Sequence, residues 1–205
     1  MAHEVNNSIG AINSIIDTVT EFGLKADKPA MKESLILAKN RNLSLSQFMA
    51  NYAAILRLPE PRMVKLDLNN LLKKCGQLYI PKAASKQIKI EFKLTKQPVS
   101  IIGDMILLEQ AISNILKNAM EAIHSSGQIT IRSTDNPICF SITDNGIGIS
   151  KANENQLFTP FFSTKVNGQG VGLMLIRDIL EKHDTDFELK TDSNSKLTTF
   201  QVRFK

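Results

Sequence analysis

Hydrophobic spacing over residues 1–60 narrows what the chain can become more than any other feature. Val5, Ile9, Ile12, Ile16 and Val19 recur at alternating intervals of four and three, which is the seam of a coiled-coil-like helix rather than the broader stripe of a surface helix. The stretch "EFGLKADKP" then supplies stop and restart signals in Gly23 and Pro29, with Asp27 placed to cap a second helix. The seam resumes through Met31, Leu35, Ala38, Asn42, Leu45, Met49, Tyr52 and Leu56. A hairpin of two antiparallel helices cannot bury such seams alone, and a second copy completing a four-helix bundle is the simplest remedy, so a homodimer is expected. Asn42, the polar interruption, either fixes register or is a tolerated polar core residue.

"LPEPR", Leu58 to Arg62, breaks the pattern with two prolines and reads as a linker. The expected division is residues 1–60 as a helical hairpin and 61–205 as a second domain. From Val64 the periodicity predicts helices over 67–84, 104–124 and 171–182, with strands at 88–94, 99–102, 128–134, 137–143, 186–191 and 197–204. The fold class is therefore α+β: the hairpin followed by an α/β sandwich with helices on one face of one sheet. A hydrophobic content of 42% is enough for a real core. The net charge of +5 is spread without a lysine or arginine block, so no nucleic-acid partner is expected. Cys75 and Cys139 lack metal-ligand spacing and read as buried reduced thiols, which suits the cytoplasm. No apolar run approaches the roughly 18 residues that span a bilayer, and no signal peptide precedes the first helix, so no membrane segment is expected.

Three stretches of the second domain carry chemistry. "NILKNAMEAI" sets Asn114, Asn118 and Glu121 on one helix face, opposite Ile112, Ile115, Leu116 and Ile123. That stripe is either an ordinary solvated face or, because amide oxygens suit a hard cation already carrying phosphate charge, a seat for a magnesium nucleotide. "FSITDNGIGIS" ends a strand in Asp144-Asn145-Gly146. A hairpin turn is the bland reading, but Gly146-Ile147-Gly148 prolongs the glycine stretch and no strand alternation follows, which favours close approach by a flat ligand. Asp144 would then accept a hydrogen bond from an exocyclic amine such as that of adenine. "GQGVGL" sets Gly168, Gly170 and Gly172 at a helix entrance, where unpaired amides and the positive dipole end favour phosphate. Between them "LFTPFFSTK" holds Phe158, Phe161 and Phe162, which read as core, and Lys165, whose ammonium either reaches phosphate oxygens or is a solvated loop charge.

In order and spacing, "HEVNN", "NILKNAMEAI", "DNGIGI", "FTPFFSTK" and "GQGVGL" resemble the H, N, G1, F and G2 boxes of bacterial two-component sensor histidine kinases. The resemblance implies a dimerisation and histidine-phosphotransfer hairpin followed by an ATP-binding domain of the Bergerat type. It implies His3 as phosphoacceptor, Glu4 as the acidic neighbour that takes its proton, and Asn7 at the position where such kinases hold a water to dephosphorylate their regulator. On the same grounds Asn118 is the magnesium ligand, Asn114 lies on its nucleotide side, and Asp144 binds adenine with Gly146 and Gly148 lining the pocket. Lys165, Gly168, Gly170 and Gly172 take lid and phosphate positions, and Thr199 in "LTTF" resembles a late threonine that supports adenine binding. ATP and Mg²⁺ are the implied cofactors, and a response-regulator receiver domain is the implied partner. An upstream sensory portion, membrane-anchored in some members, is also implied.

The resemblance explains why "MAHEVNNSIG" opens a helix with residues that stabilise a helix interior poorly. A neutral imidazole off the seam is a competent nucleophile displayed to solvent. Asn7, four residues on, shares its face, whereas Glu4 diverges around the helix and must use its length. Three departures stand out: Ser8 replaces a common proline, Asp184-Thr185 replaces a pair of glycines after His183, and His3 lies several turns nearer the chain start than usual. Two other readings remain, a catalytically degenerate nucleotide-binding scaffold and another ATPase of the same superfamily.

Overall fold

A computed structural model describes residues 2–25, 33, 35–40, 42–43, 45–46, 49, 58–154, 156–159 and 171–205. They fall into two compact units, Met1–Leu58 with Ser163–Val171, and Pro59–Phe162 with Gly172–Lys205.

In the first unit, helix α1 (Ala2–Lys25) runs through Gly23, so the stop expected there is not made. A glycine weakens a helix interior without barring it. Asp27 and Pro29 lie outside the described residues, as do Met31, Tyr52 and Leu56. The described residues between 33 and 49 are helical. On the seam Ile9 and Ile16 are buried, and so is Asn42. The Asn42 carboxamide donates to the Ile9 carbonyl at 2.7 Å, and Lys39 pairs with Asp17 at 2.6 Å. The buried amide thus has a defined partner on the facing helix. Ile12 and Leu45, also on the seam, stay 47% and 48% exposed in the single chain.

The second unit holds two sheets where one was expected. Strand β1 (Val64–Asp67) pairs antiparallel with β3 (Ser100–Gly103) as a separate ribbon. Strands β2 (Ile88–Lys93), β4 (Gly127–Asp135), β5 (Ile138–Asp144), β6 (Thr185–Thr191) and β7 (Thr198–Phe204) form a sheet in the order β2-β4-β5-β7-β6. Only β2 and β4 are parallel within it. Helices α2 (Leu68–Ala84), α3 (Met105–Ala122) and α5 (Gly172–Lys182) supply the other half of a core that includes Leu72, Ile112, Leu116, Ile131, Phe140, Ile142, Ile176 and Val202. A single turn, α4 (Lys151–Glu154), precedes the glycine-rich segment. The two cysteines are free and buried. No helix among the described residues is long and apolar enough to cross a membrane.

Local chemistry fixes where α3 begins and α5 ends. Asp104 caps α3, its carboxylate accepting from the amides of Ile106 at 2.9 Å and Leu107 at 3.0 Å. The Asp104 amide donates to His183 Nε2 at 2.9 Å, while His183 Nδ1 lies 2.7 Å from the Ile179 carbonyl. Nδ1 therefore carries the ring proton, and the imidazole joins the start of α3 to the end of α5. Asp184 takes φ +50° and closes α5 without the usual glycine, a conformation that aspartate tolerates better than most side chains.

Candidate functional site

Cross-strand register sorts the helix-facing side of the large sheet into rows. One row, Ile131–Ile142–Phe200–Leu189, is wholly apolar. The adjacent row, at the end of the sheet, reads Ile129–Asp144–Thr198–Thr191. Hydrophobic packing therefore gives way to a carboxylate and two hydroxyls in the last row, where β5 and β6 end and β7 begins. Asp144 is 5% exposed and Thr198 7%. Asp144 Oδ1 accepts from the Gly146 amide at 2.9 Å. Burial pushes the Asp144 carboxyl up to about 6, and the Gly146 hydrogen bond opposes that rise without cancelling it.

After Asp144 the chain leaves the sheet instead of turning back into a hairpin. Asn145 Oδ1 accepts from the Gln128 amide at 2.8 Å, and the Ile147 amide donates to the Ala122 carbonyl at 3.0 Å. The glycine turn is thus pinned to the last turn of α3. A Cβ on Gly146 would stand 2.6 Å from the Ala122 oxygen, so packing against α3, rather than ligand approach, explains the missing side chain. Gly148 sits at φ +76°, the left-handed region that side chains resist.

Along α3, Ile112, Ile115 and Leu116 are buried, and Ile123 just beyond it is buried too, as their periodicity predicts. Asn114 and Asn118 are half-buried on the opposite side. Asn114 donates to the Gln110 carbonyl at 2.9 Å, and among the described residues nothing donates to its amide oxygen. Among the described residues no hydrogen bond engages the Asn118 carboxamide. Glu121 is exposed, and its carboxylate lies 4.0 Å from the Lys117 ammonium. Gly172, the first residue of α5, faces both asparagines: a Cβ there would lie 3.9 Å from Asn114 Oδ1 and 4.0 Å from Asn118 Oδ1. The first turn of an eleven-residue helix, whose leading amides have no partner within the helix itself, thus lies beside two carboxamides. A half-buried amide oxygen facing a helix N-terminus fits a hydrated magnesium ion carrying phosphates, because such an ion takes few protein ligands.

The structure thus brings Asn114, Asn118, Asp144, Gly146, Gly148 and Gly172 to one end of one unit. Thr199 is not with them. Its hydroxyl pairs with that of Thr143 at 3.0 Å, and their strand positions put them on the opposite face of the sheet from Asp144. Thr198 is the threonine that shares the aspartate's face. The alternation Thr198–Phe200–Val202, with the last two apolar, already marks it as inward-facing. Thr191 was likewise missed; it carries no motif. Phe158 packs edge-on against Phe187 and Phe200, with ring centroids 5.4 Å and 6.4 Å away, as a core aromatic should. Lys165, Gly168, Gly170, Phe161 and Phe162 lie outside the described residues. His3, Glu4 and Asn7 belong to α1, but their side chains are also outside the described part.

A mixed sheet covered on one face by helices, with a carboxylate and glycine turn beside an amide-bearing helix, defines an α/β sandwich ATP-binding domain of the histidine kinase type. The family described as histidine kinase-, DNA gyrase B- and HSP90-like ATPase matches residues 103–205, and the chain belongs to it. Sensor histidine kinase ZraS of Klebsiella oxytoca is 29% identical over 89% of this chain and 40% of its own length. Sporulation kinase B of Bacillus subtilis is 30% identical over 99% of this chain and 47% of its own. The chain spans less than half the length of these curated relatives. The solved catalytic domain of histidine kinase ThkA superposes with a TM-score of 0.63 at 25% identity, over 70% of this chain and 95% of that one.

Proposed function

We propose that the chain is the catalytic core of a sensor histidine kinase: it autophosphorylates on His3 at the expense of ATP and passes the phosphoryl group to an aspartate of a response-regulator receiver domain. Residues 1–60 form the dimerisation and phosphotransfer hairpin, paired with a second copy through seam residues such as Ile12 and Leu45, and residues 61–205 bind ATP. The observation that carries this reading is the convergence of Asp144, the pinned glycine turn, the Asn114–Asn118 pair and Gly172 at one end of the sheet.

In this reading the Asp144 carboxylate accepts from the adenine exocyclic amine, and the wall formed by Gly146 and Gly148 holds the ring. The amides that open α5 take phosphate oxygens, with Gly168, Gly170 and Lys165 contributing from the preceding segment. Asn118 holds Mg²⁺ and Asn114 orients the nucleotide beside it; the ion neutralises phosphate charge. The neutral imidazole of His3 attacks the γ-phosphorus, a P–N bond forms as the bridging P–O bond breaks, ADP departs, and Glu4 takes the imidazole proton. The second transfer breaks that P–N bond and forms an acyl phosphate on the receiver aspartate. Asn7, on the histidine's face, holds the water for the reverse regulation, dephosphorylation of the regulator. The chain works in the cytoplasm.

Incubation with γ-labelled ATP tests the proposal. Acid-labile, alkali-stable label on the protein, absent in His3→Gln, is the expected result. Release of labelled phosphate without phosphoprotein would instead identify an ATPase, and binding alone a scaffold. Asn118→Ala should abolish magnesium-dependent labelling while leaving the dimer intact by sedimentation; undiminished labelling removes the metal assignment.

A further inference from the structure

Thr191 ends β6 as the outermost member of the polar row. Its hydroxyl accepts from the Ile149 amide at 2.8 Å and shares a 3.0 Å hydrogen bond with the Thr198 hydroxyl. Thr198 is the direct cross-strand neighbour of Asp144. The residue before Ile149 is Gly148, held at φ +76°, and a Cβ there would stand 3.1 Å from the Thr191 methyl. One side chain therefore crowds with its methyl the space a Cβ on Gly148 would take, anchors the turn's far end with its hydroxyl, and hydrogen-bonds the threonine beside the carboxylate.

We propose that Thr191 is a positioning residue for the nucleotide base: it fixes both the glycine turn and the Thr198 hydroxyl with respect to Asp144. The inference rests on reading the Asp144 end of the row as the base site. Ala122 anchors the near end of the turn through Ile147 and Gly146, so Thr191 completes a two-point suspension. Removing the hydroxyl leaves the Ile149 amide without its acceptor and frees the Thr198 hydroxyl to rotate. The base end then loses its preset shape, whereas the asparagine and α5 end does not.

The test is calorimetric titration of the full chain with ATP, ADP and adenosine. Thr191→Val keeps the shape and removes the hydroxyl; it should weaken all three ligands by about the same factor, on the order of tenfold. Thr191→Ser, which keeps the hydroxyl, should stay within about twofold of the parent, and the magnesium dependence of ATP binding should be unchanged in both. If Thr191→Val fails to fold, Thr191→Ala is read in its place with the same expectation. Parental affinity in the hydroxyl-free variant, a loss confined to ATP, or a Thr191→Ser as weak as Thr191→Val overturns the inference. Asp144→Asn, titrated alongside, separates the two claims. Loss there with none in Thr191→Val sinks only the role of Thr191, whereas undiminished adenosine binding by Asp144→Asn sinks the base site and the inference together.

Discussion

Two buried carboxylates flank α3, one at each end, and their surroundings have opposite effects. Asp104 accepts from three amides, those of Ile106, Leu107 and Arg62. Burial pushes its carboxyl up, but the hydrogen bonds from Leu107, Arg62 and Ile106 outweigh that and hold it below the usual carboxylate range. Asp144 is more deeply desolvated, and among the described residues only the Gly146 amide donates to it, so its carboxyl rises to about 6. A carboxylate whose hydrogen bonds are all made inside the chain caps a helix. One left short of donors in an otherwise closed core is held ready for a donor from outside. The contrast marks Asp144 as the candidate site residue without appeal to motif.

Exchanging each carboxylate tests that contrast, and the largest effect belongs to Asp144. Asp144→Asn should weaken adenine-nucleotide binding about a hundredfold, the scale of a lost charge-assisted hydrogen bond in a buried site, while its melting temperature at neutral pH holds or rises. Equal nucleotide affinity in a titration would dissolve the distinction. Asp104→Ala should do the reverse, lowering stability to urea by about 2 kcal/mol through the lost cap, with nucleotide affinity per folded molecule unchanged. Acidity gives the smallest and sharpest comparison. Asp104, with a depressed folded value, contributes stability that is present above the ordinary carboxyl range and lost as pH falls through that lower value. Asp144 has the opposite sign: the folded state binds its proton more tightly than the unfolded one, so its contribution is most favourable in acid and declines as pH rises from roughly 4 towards 6. Nucleotide affinity should accordingly weaken below pH 6, by up to about tenfold per unit, and Asp144→Asn should flatten that slope. A slope surviving the substitution would assign the titration to another group.

Most elements of the second unit were legible because their periods are strong. Helix α3 was expected over 104–124 and spans Met105–Ala122; β5 was expected over 137–143 and spans Ile138–Asp144. What escaped was short or non-local. Val64–Asp67 shows no alternation long enough to announce a strand, and it becomes one only by pairing with residues 100–103; without it, the ribbon was folded into the single expected sheet. The parallel pairing of β2 with β4 is equally invisible to a local pattern. At the candidate site, one glycine has a packing reason that the motif did not show, since Gly146 answers to the Ala122 carbonyl. The threonine was misplaced by one residue, and in a strand one residue is the difference between two faces. The contact between Thr191 and Ile149 was beyond reach, because the two lie 42 residues apart in sequence.

The Asn42 carboxamide seated on the Ile9 carbonyl makes the helical pair of the first unit a notched rod. A buried amide released from one main-chain oxygen finds the next equivalent one about 5.4 Å along the rod, and every intermediate stop strands it without an acceptor in an apolar seam. Asn42→Leu would remove that penalty, and with it a polar fix on the axial register of the pair.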